Sequence, residues 1–157
     1  MFFIKLSAAF YDENDDVIEL TKQNFDKVVI GSDNVWMVQF YATWCKYLNL
    51  EYLVLDVNEF SGDASKEMSD EFKKVAAILK GVVKVGAIDA DKHRIIAKRL
   101  EITQVPSVMI FSGEFSYPYF EERSGTALAE AALSEVFNKV KHQLSVANAN
   151  SKTQQEN

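Results

Sequence analysis

Cysteine occurs once in this chain, at position 45, in the run Phe40-Tyr41-Ala42-Thr43-Trp44-Cys45, and Leu48 rather than a second cysteine stands three residues further on. An apolar run that ends in Trp-Cys reads as a strand handing a thiol to the start of a helix, the layout of a dithiol redox site. Such a site moves electrons by closing a disulfide between neighbouring thiols, through a mixed-disulfide intermediate. One sulfur cannot close that ring. The chemistry left to Cys45 is attack as a thiolate on another molecule's disulfide, with release by an external thiol. The other reading is an inert, partly buried thiol.

Composition narrows the remaining classes. A chain of 157 residues, 48% hydrophobic and 12% aromatic, can bury one core and fits a single domain. Its net charge of −6, from 17 basic and 23 acidic residues, argues against a nucleic-acid partner, and no basic cluster reverses that. His93 and His142 are far apart and share the chain with one cysteine, so no metal site at zinc-ligand spacing is expected. Neither a Gly-rich phosphate loop nor an apolar stretch of membrane-span length is present, and no cofactor is expected.

The elements that must position Cys45 follow from hydrophobic pattern. Val17 to Leu20 reads as a short strand, and Thr21 with Asn24 opens a brief helix over Phe25, Val28 and Val29 that Gly31 closes. Val35 to Tyr41 is nearly all apolar, which suits a strand buried on both faces. Met68, Phe72, Val75, Ala76 and Leu79 share one helical face, with Ser65 as cap and Gly81 as stop. Val82 to Ile88 is a second buried strand, ending at an Asp89–His93 turn expected to be solvated. A short helix with Ile95, Ile96 and Leu100 comes next. Val108 to Phe111 and Phe115 to Phe120 form a hairpin, whose second strand Pro118 assigns to an edge or bulge. A closing helix spans Ala127 to Leu144 with Leu128, Ala131, Ala132, Val136, Val140 and Leu144 on one side. The order predicts a mixed α/β sheet with helices on both faces.

Several motifs in that order are specific: Asp16-Val17-Ile18-Glu19-Leu20-Thr21, Val38 to Cys45, Val82 to His93, Val105-Pro106-Ser107 and Ala131-Ala132-Leu133. They resemble the thioredoxin fold, and more closely the first thioredoxin domain of a small tandem-domain protein disulfide isomerase of the endoplasmic reticulum. The resemblance implies a central mixed sheet of four to five strands flanked by helices on both faces, with an atypical insertion near the active-site helix. Residues 1–15 are then an N-terminal extension or degenerate leader, 16–144 the thioredoxin domain with its insertion at about 46–66, and 145–157 a polar tail or linker. It also implies that Cys45 lies at a helix N-terminus, where dipole and free N–H groups favour the thiolate. Val105-Pro106 resembles the family's cis-proline loop, so Trp44, Val105 and Pro106 are the implied client-binding residues. The implied partners are unfolded or cysteine-containing client proteins and glutathione; the oligomeric state is not indicated. The implied compartment is the endoplasmic-reticulum lumen, although the N-terminal leader is weak and residues 152–157 carry no Lys-Asp-Glu-Leu-type signal.

Departures from the family pattern bear on activity. Lys46-Tyr47-Leu48 replaces the Gly-His-Cys that should follow the first cysteine. Gln39 stands where the family buries a glutamate, Thr43 where it has proline, and Glu121-Glu122 where it has small residues. Lys46 to Asp70 is far longer than the family's connection and fits no clean period, reading as an ill-fitting helix over 45–59 and then a loop broken at Gly62-Asp63. The resulting expectation is impaired disulfide-isomerase chemistry, with monothiol client capture at most. The alternatives are a redox-inactive peptide-binding or chaperone domain, or a mis-spliced isoform of a normal isomerase, since codons for Cys45-Lys46-Tyr47 can contain a splice-donor pattern.

Overall fold

Residues 10–43 and 60–153 are described by the computed structural model. Five strands form one sheet: β1 (Ile18–Leu20), β2 (Val35–Tyr41), β3 (Lys84–Asp89), β4 (Ser107–Ser112) and β5 (Phe115–Tyr119), in the spatial order β1-β3-β2-β4-β5. β3 runs parallel to both β1 and β2, whereas β4 is antiparallel to β2 and to β5. The helices are α1 (Phe60–Ile78), α2 (Arg94–Arg99) and α3 (Gly125–Thr153), and a π-helical turn spans Asp26–Ile30.

β2 is central and buried along its whole length. Alternation of side chains along a strand divides it between two cores. Val35, Met37 and Tyr41 face the cluster built with α1 and α3, including Phe72, Val75 and Leu128. Trp36, Val38 and Phe40 face the opposite cluster, with Phe25 and Val29 of the π-turn region and Ile96 and Ala97 of α2. A nearly all-apolar strand therefore suits its central position. β5 lies at the edge, and Pro118, opposite Met109, lacks an N–H there without breaking an interior ladder.

α1 buries the predicted residues, Met68, Phe72, Val75, Ala76 and Leu79. The expected cap and loop before it are not found. The chain is helical from Phe60 through Gly62 and Asp63, and Ser65 is a buried interior position whose carbonyl accepts the Ser69 hydroxyl at 2.6 Å. A helical glycine costs only about 1 kcal/mol, which burial of the flanking apolar face outweighs. Gly81, with φ of +85°, supports the turn after α1.

Glu71 joins the two helices of this layer, its Oε2 accepting the Gly125 N–H at 2.9 Å at the first turn of α3. α3 is longer than the pattern suggests. The segment from Ser145, expected as a polar tail or linker, is helical to Thr153, and Ser151 donates to the Ala147 carbonyl at 2.8 Å. A helix of this length runs roughly 40 Å, well past strands of about 20 Å. Val140 and Leu144, expected on the packed side, are consequently exposed with Leu133 and Phe137. On α2, Ile95 faces solvent, whereas Ile96 and Ala97 are buried.

Gly86 lets Leu20 and Trp36 meet over β3. A Cβ added there would lie 2.7 Å from Leu20 Cδ1 and 3.2 Å from Trp36 Cζ3, both in a fully packed layer. Gly86→Ala is expected to lower the urea midpoint by the equivalent of about 1–3 kcal/mol at unchanged m-value; an unchanged midpoint would show that this layer yields.

Candidate functional site

β2 leads directly toward position 45. Trp44 and Cys45 lie outside the described residues, as does the helix expected over 45–59. The last described residues of β2 and its exit, Tyr41 and Ala42, are buried. The other predicted site residues are described. Pro106 is buried, Val105 is half-buried, and the peptide bond between them is cis. Their place follows from register. Phe40 pairs with Ser107 in the antiparallel β2–β4 ladder, so the Val105-Pro106 loop precedes β4 beside the end of β2 from which the chain continues to Trp44 and Cys45.

Beneath that end, one row of side chains crosses the sheet: Glu19, Ala87, Gln39, Val108 and Tyr119 are successive partners. Gln39, at its centre, has 0% exposure. Its Oε1 accepts the Tyr11 hydroxyl, and its Nε2 has no hydrogen-bond partner among the described residues. Ser69 also adjoins the Tyr11 hydroxyl, but its own hydroxyl donates to the Ser65 carbonyl. The Tyr11 proton is therefore directed to Gln39. Burial holds the Tyr11 phenol well above its ordinary pKa, with Ser69 as the main opposing influence.

Tyr11 is the site residue that pattern reading did not single out, because it sits in a segment read as an extension or leader. Phe10 and Tyr11 both pack on Tyr41, with ring centroids 5.4 Å and 5.6 Å away. Lys73 of α1 holds the same segment, 3.1 Å from Asp15 and 5.7 Å from the centre of the Tyr11 ring. Two adjacent aromatics before an acidic stretch were the available signal, though nothing local indicates what they pack against.

The Asp89–His93 turn is less solvated than expected. Asp89 is buried; its Oδ1 accepts the Asp91 and Lys92 N–H groups at 3.0 Å and 3.2 Å, and Lys92 Nζ lies 3.3 Å from Oδ2. His93 Nδ1 accepts the Lys22 N–H at 3.4 Å, and burial chiefly lowers its pKa. These groups fix the β3 exit and the start of α2. Glu121 and Glu122 are exposed after β5, and the Glu122 carbonyl accepts the Tyr119 hydroxyl at 2.8 Å. Among the described residues, no group of His, Cys, Asp and Glu is arranged to hold a metal ion, and no helix is long and apolar enough to cross a membrane.

The order of strands, the two helical layers and the proline loop beside the β2 exit define a thioredoxin-type domain. Comparison with known proteins agrees: residues 16–49 match the thioredoxin family model. The chain is 38% identical over 145 residues to human protein disulfide-isomerase A6, covering 91% of this chain and 29% of that protein. It is 36% identical over 141 residues to the Drosophila melanogaster A6 homolog, covering 88% of this chain and 29% of that protein. The chain carries a thioredoxin-type domain similar to one in these protein disulfide-isomerases, and it spans less than a third of their length. In fold it is similar to the Trx4 domain of ERdj5, with a TM-score of 0.63 at 21% identity over 78% of this chain and 96% of that one.

Tyr11→Phe removes the donor to Gln39 and leaves a wholly buried amide oxygen without that proton. The expected loss is about 1–3 kcal/mol, read as a lower urea midpoint; no change would show that the hydrogen bond contributes nothing net. Gln39→Glu tests the same position by pH. Burial raises a carboxyl pKa above the unfolded value of about 4.3, so the folded state favours the protonated form. The variant should match the parent near pH 4 and lose stability as pH rises above the unfolded value. That loss grows by about 1.4 kcal/mol for each pH unit until the raised folded value is reached, and is constant beyond it. A constant difference between pH 4 and pH 8 would refute burial of that carboxyl.

Proposed function

We propose that this chain is a client-binding thiol–disulfide exchange domain that works through one sulfur, in the lumen of the endoplasmic reticulum. The observation that carries the reading is the register that sets Val105-Pro106 beside the exit of β2, the strand that leads to Trp44 and Cys45. An extended client segment lies against Val105, Pro106 and Trp44. The Cys45 thiolate attacks one sulfur of a client disulfide; a new S–S bond forms to Cys45, the old S–S bond breaks, and the client's other sulfur leaves as thiolate. No oxidation or reduction is completed at that stage. Resolution requires attack on the mixed disulfide by a second client thiol, giving isomerisation, or by glutathione, giving release.

Net dithiol oxidation by the isolated chain is not part of this function, because the chain holds a single cysteine. The amide at Gln39 points the same way: a carboxamide neither accepts nor delivers a proton at neutral pH, so resolution lacks a buried acid–base group. A second reading, capture of unfolded clients without covalent chemistry, is favoured by the same amide, which leaves the Val105-Pro106 surface unaffected.

Cys45→Ser separates the two. Under thiol exchange, refolding of scrambled ribonuclease in a glutathione buffer falls to the uncatalysed rate, and no mixed disulfide is trapped with a client peptide disulfide. Under capture alone, client binding measured by fluorescence anisotropy is unchanged and the parent catalyses no refolding. Sustained oxidation of a reduced substrate by the parent chain alone, with no added thiol or disulfide, would rule out the single-sulfur mechanism.

A further inference from the structure

α3 carries an apolar stripe that the fold leaves open. Leu133, Phe137, Val140 and Leu144 are 45%, 67%, 47% and 60% exposed. At about 100° of turn per residue, these four fall within about 60° of one another. They lie about a third of a turn from the side on which Leu128, Ala132 and Val136 pack against the core. The stripe is therefore a second face of the helix and not the rim of the buried one. Four large apolar side chains in one exposed row mark an interaction surface.

Spacing and charge say what can cover it. The intervals of 4, 3 and 4 residues are those of the a and d positions of a heptad, and they read the same in both directions. A second α3 laid antiparallel therefore meets each side chain with a partner. Leu133 stands opposite the partner's Leu144, and Phe137 opposite the partner's Val140, a large ring against a small side chain at each central level. Parallel pairing would stack the two Phe137 rings and leave the two Val140 side chains facing each other. Charge favours the same direction. Glu130 and Glu135 come early in α3, and Lys139, Lys141 and His142 follow. Antiparallel helices set the acidic stretch of each copy beside the basic stretch of the other, whereas parallel helices set like against like. Glu130 and Lys141 border the stripe on the same flank, where this attraction acts on the pairing itself.

We propose that this face of α3 is a self-association surface, through which two copies of the chain pair by antiparallel α3 helices. The interface is isologous, and its two-fold axis crosses α3 between Asn138 and Lys139. A standard interface buries about 800 Å² per partner, more than four side chains and their flanks supply, so the dimer forms with a Kd of about 1–100 μM. The surface does not rest on the thiol chemistry of Cys45.

The test is sedimentation velocity of the full chain in reducing buffer, over concentrations of about 1–300 μM that bracket this Kd. The average mass is expected to rise from the monomer's 17.8 kDa toward twice that value. Phe137→Glu and Leu144→Glu, at exposed positions, are each expected to weaken association about tenfold or more, with an unchanged melting temperature in dilute solution. Direction is read in a Cys45→Ser background without reductant. An equimolar mixture of Leu133→Cys and Leu144→Cys chains is expected to form a disulfide-linked dimer, whereas Leu133→Cys chains alone are not. A mass that stays at the monomer value throughout overturns the proposal, whether the stripe is then bare or is covered by residues 1–9 or by a different protein. Undiminished association of both glutamate variants overturns the assignment to α3. Linkage of Leu133→Cys chains alone, or none in the mixture, overturns the antiparallel arrangement. Cys45→Ser is expected to associate as the parent does, so failure here and failure of thiol exchange are read separately.

Discussion

Burial of β2 on both faces is the constraint from which the rest of this molecule follows. A strand between a parallel neighbour and an antiparallel one, roofed by helices on each side, has no solvated position. Its backbone polar groups are satisfied by the β3 and β4 ladders, and every side chain must suit a packed core. Gln39 is the exception in that run, a polar residue at full burial. The cost of placing an amide there is offset by the Tyr11 hydroxyl, which must come from outside the sheet. The N-terminal segment is thereby drawn across the sheet face, bringing its acidic residues next to Glu19 and Tyr41.

The same amide links fold to chemistry. In thiol exchange a buried carboxyl can take up and return protons; the Gln39 amide accepts the Tyr11 hydroxyl and does not titrate. A single cysteine in the sequence and a non-ionising residue within β2 are consistent with each other: neither supports a dithiol cycle. The Val105-Pro106 loop is positioned by the β2–β4 register instead and does not depend on either departure.

Much of the fold was legible in the residues. β2 matched its apolar run from end to end, and the buried face of α1 matched the residues picked by helical spacing. Positions where two local rules compete went differently. Gly62-Asp63 and Ser65 carry loop and cap signals, yet lie inside α1 because core packing outweighs a modest propensity penalty. Ser145 onward reads as a polar tail or linker, yet it continues α3 to Thr153. Val140 and Leu144 have the spacing of buried residues, and only the length of the strands shows that α3 has passed the sheet by then.

The chain's residues alone gave the order of elements and the arithmetic of one sulfur, because these depend on composition and on periodicities of 2 and 3.6 along the backbone, while the family resemblance rested on its motifs. Partnership across the sheet was decided only by the tertiary structure. Glu19, Ala87 and Gln39 are far apart in the chain, and parallel register alone makes them one row. Tyr11 and Gln39 are likewise joined by no local signal: their hydrogen bond exists because a fully buried amide needs a donor, and the folded chain brings one to it.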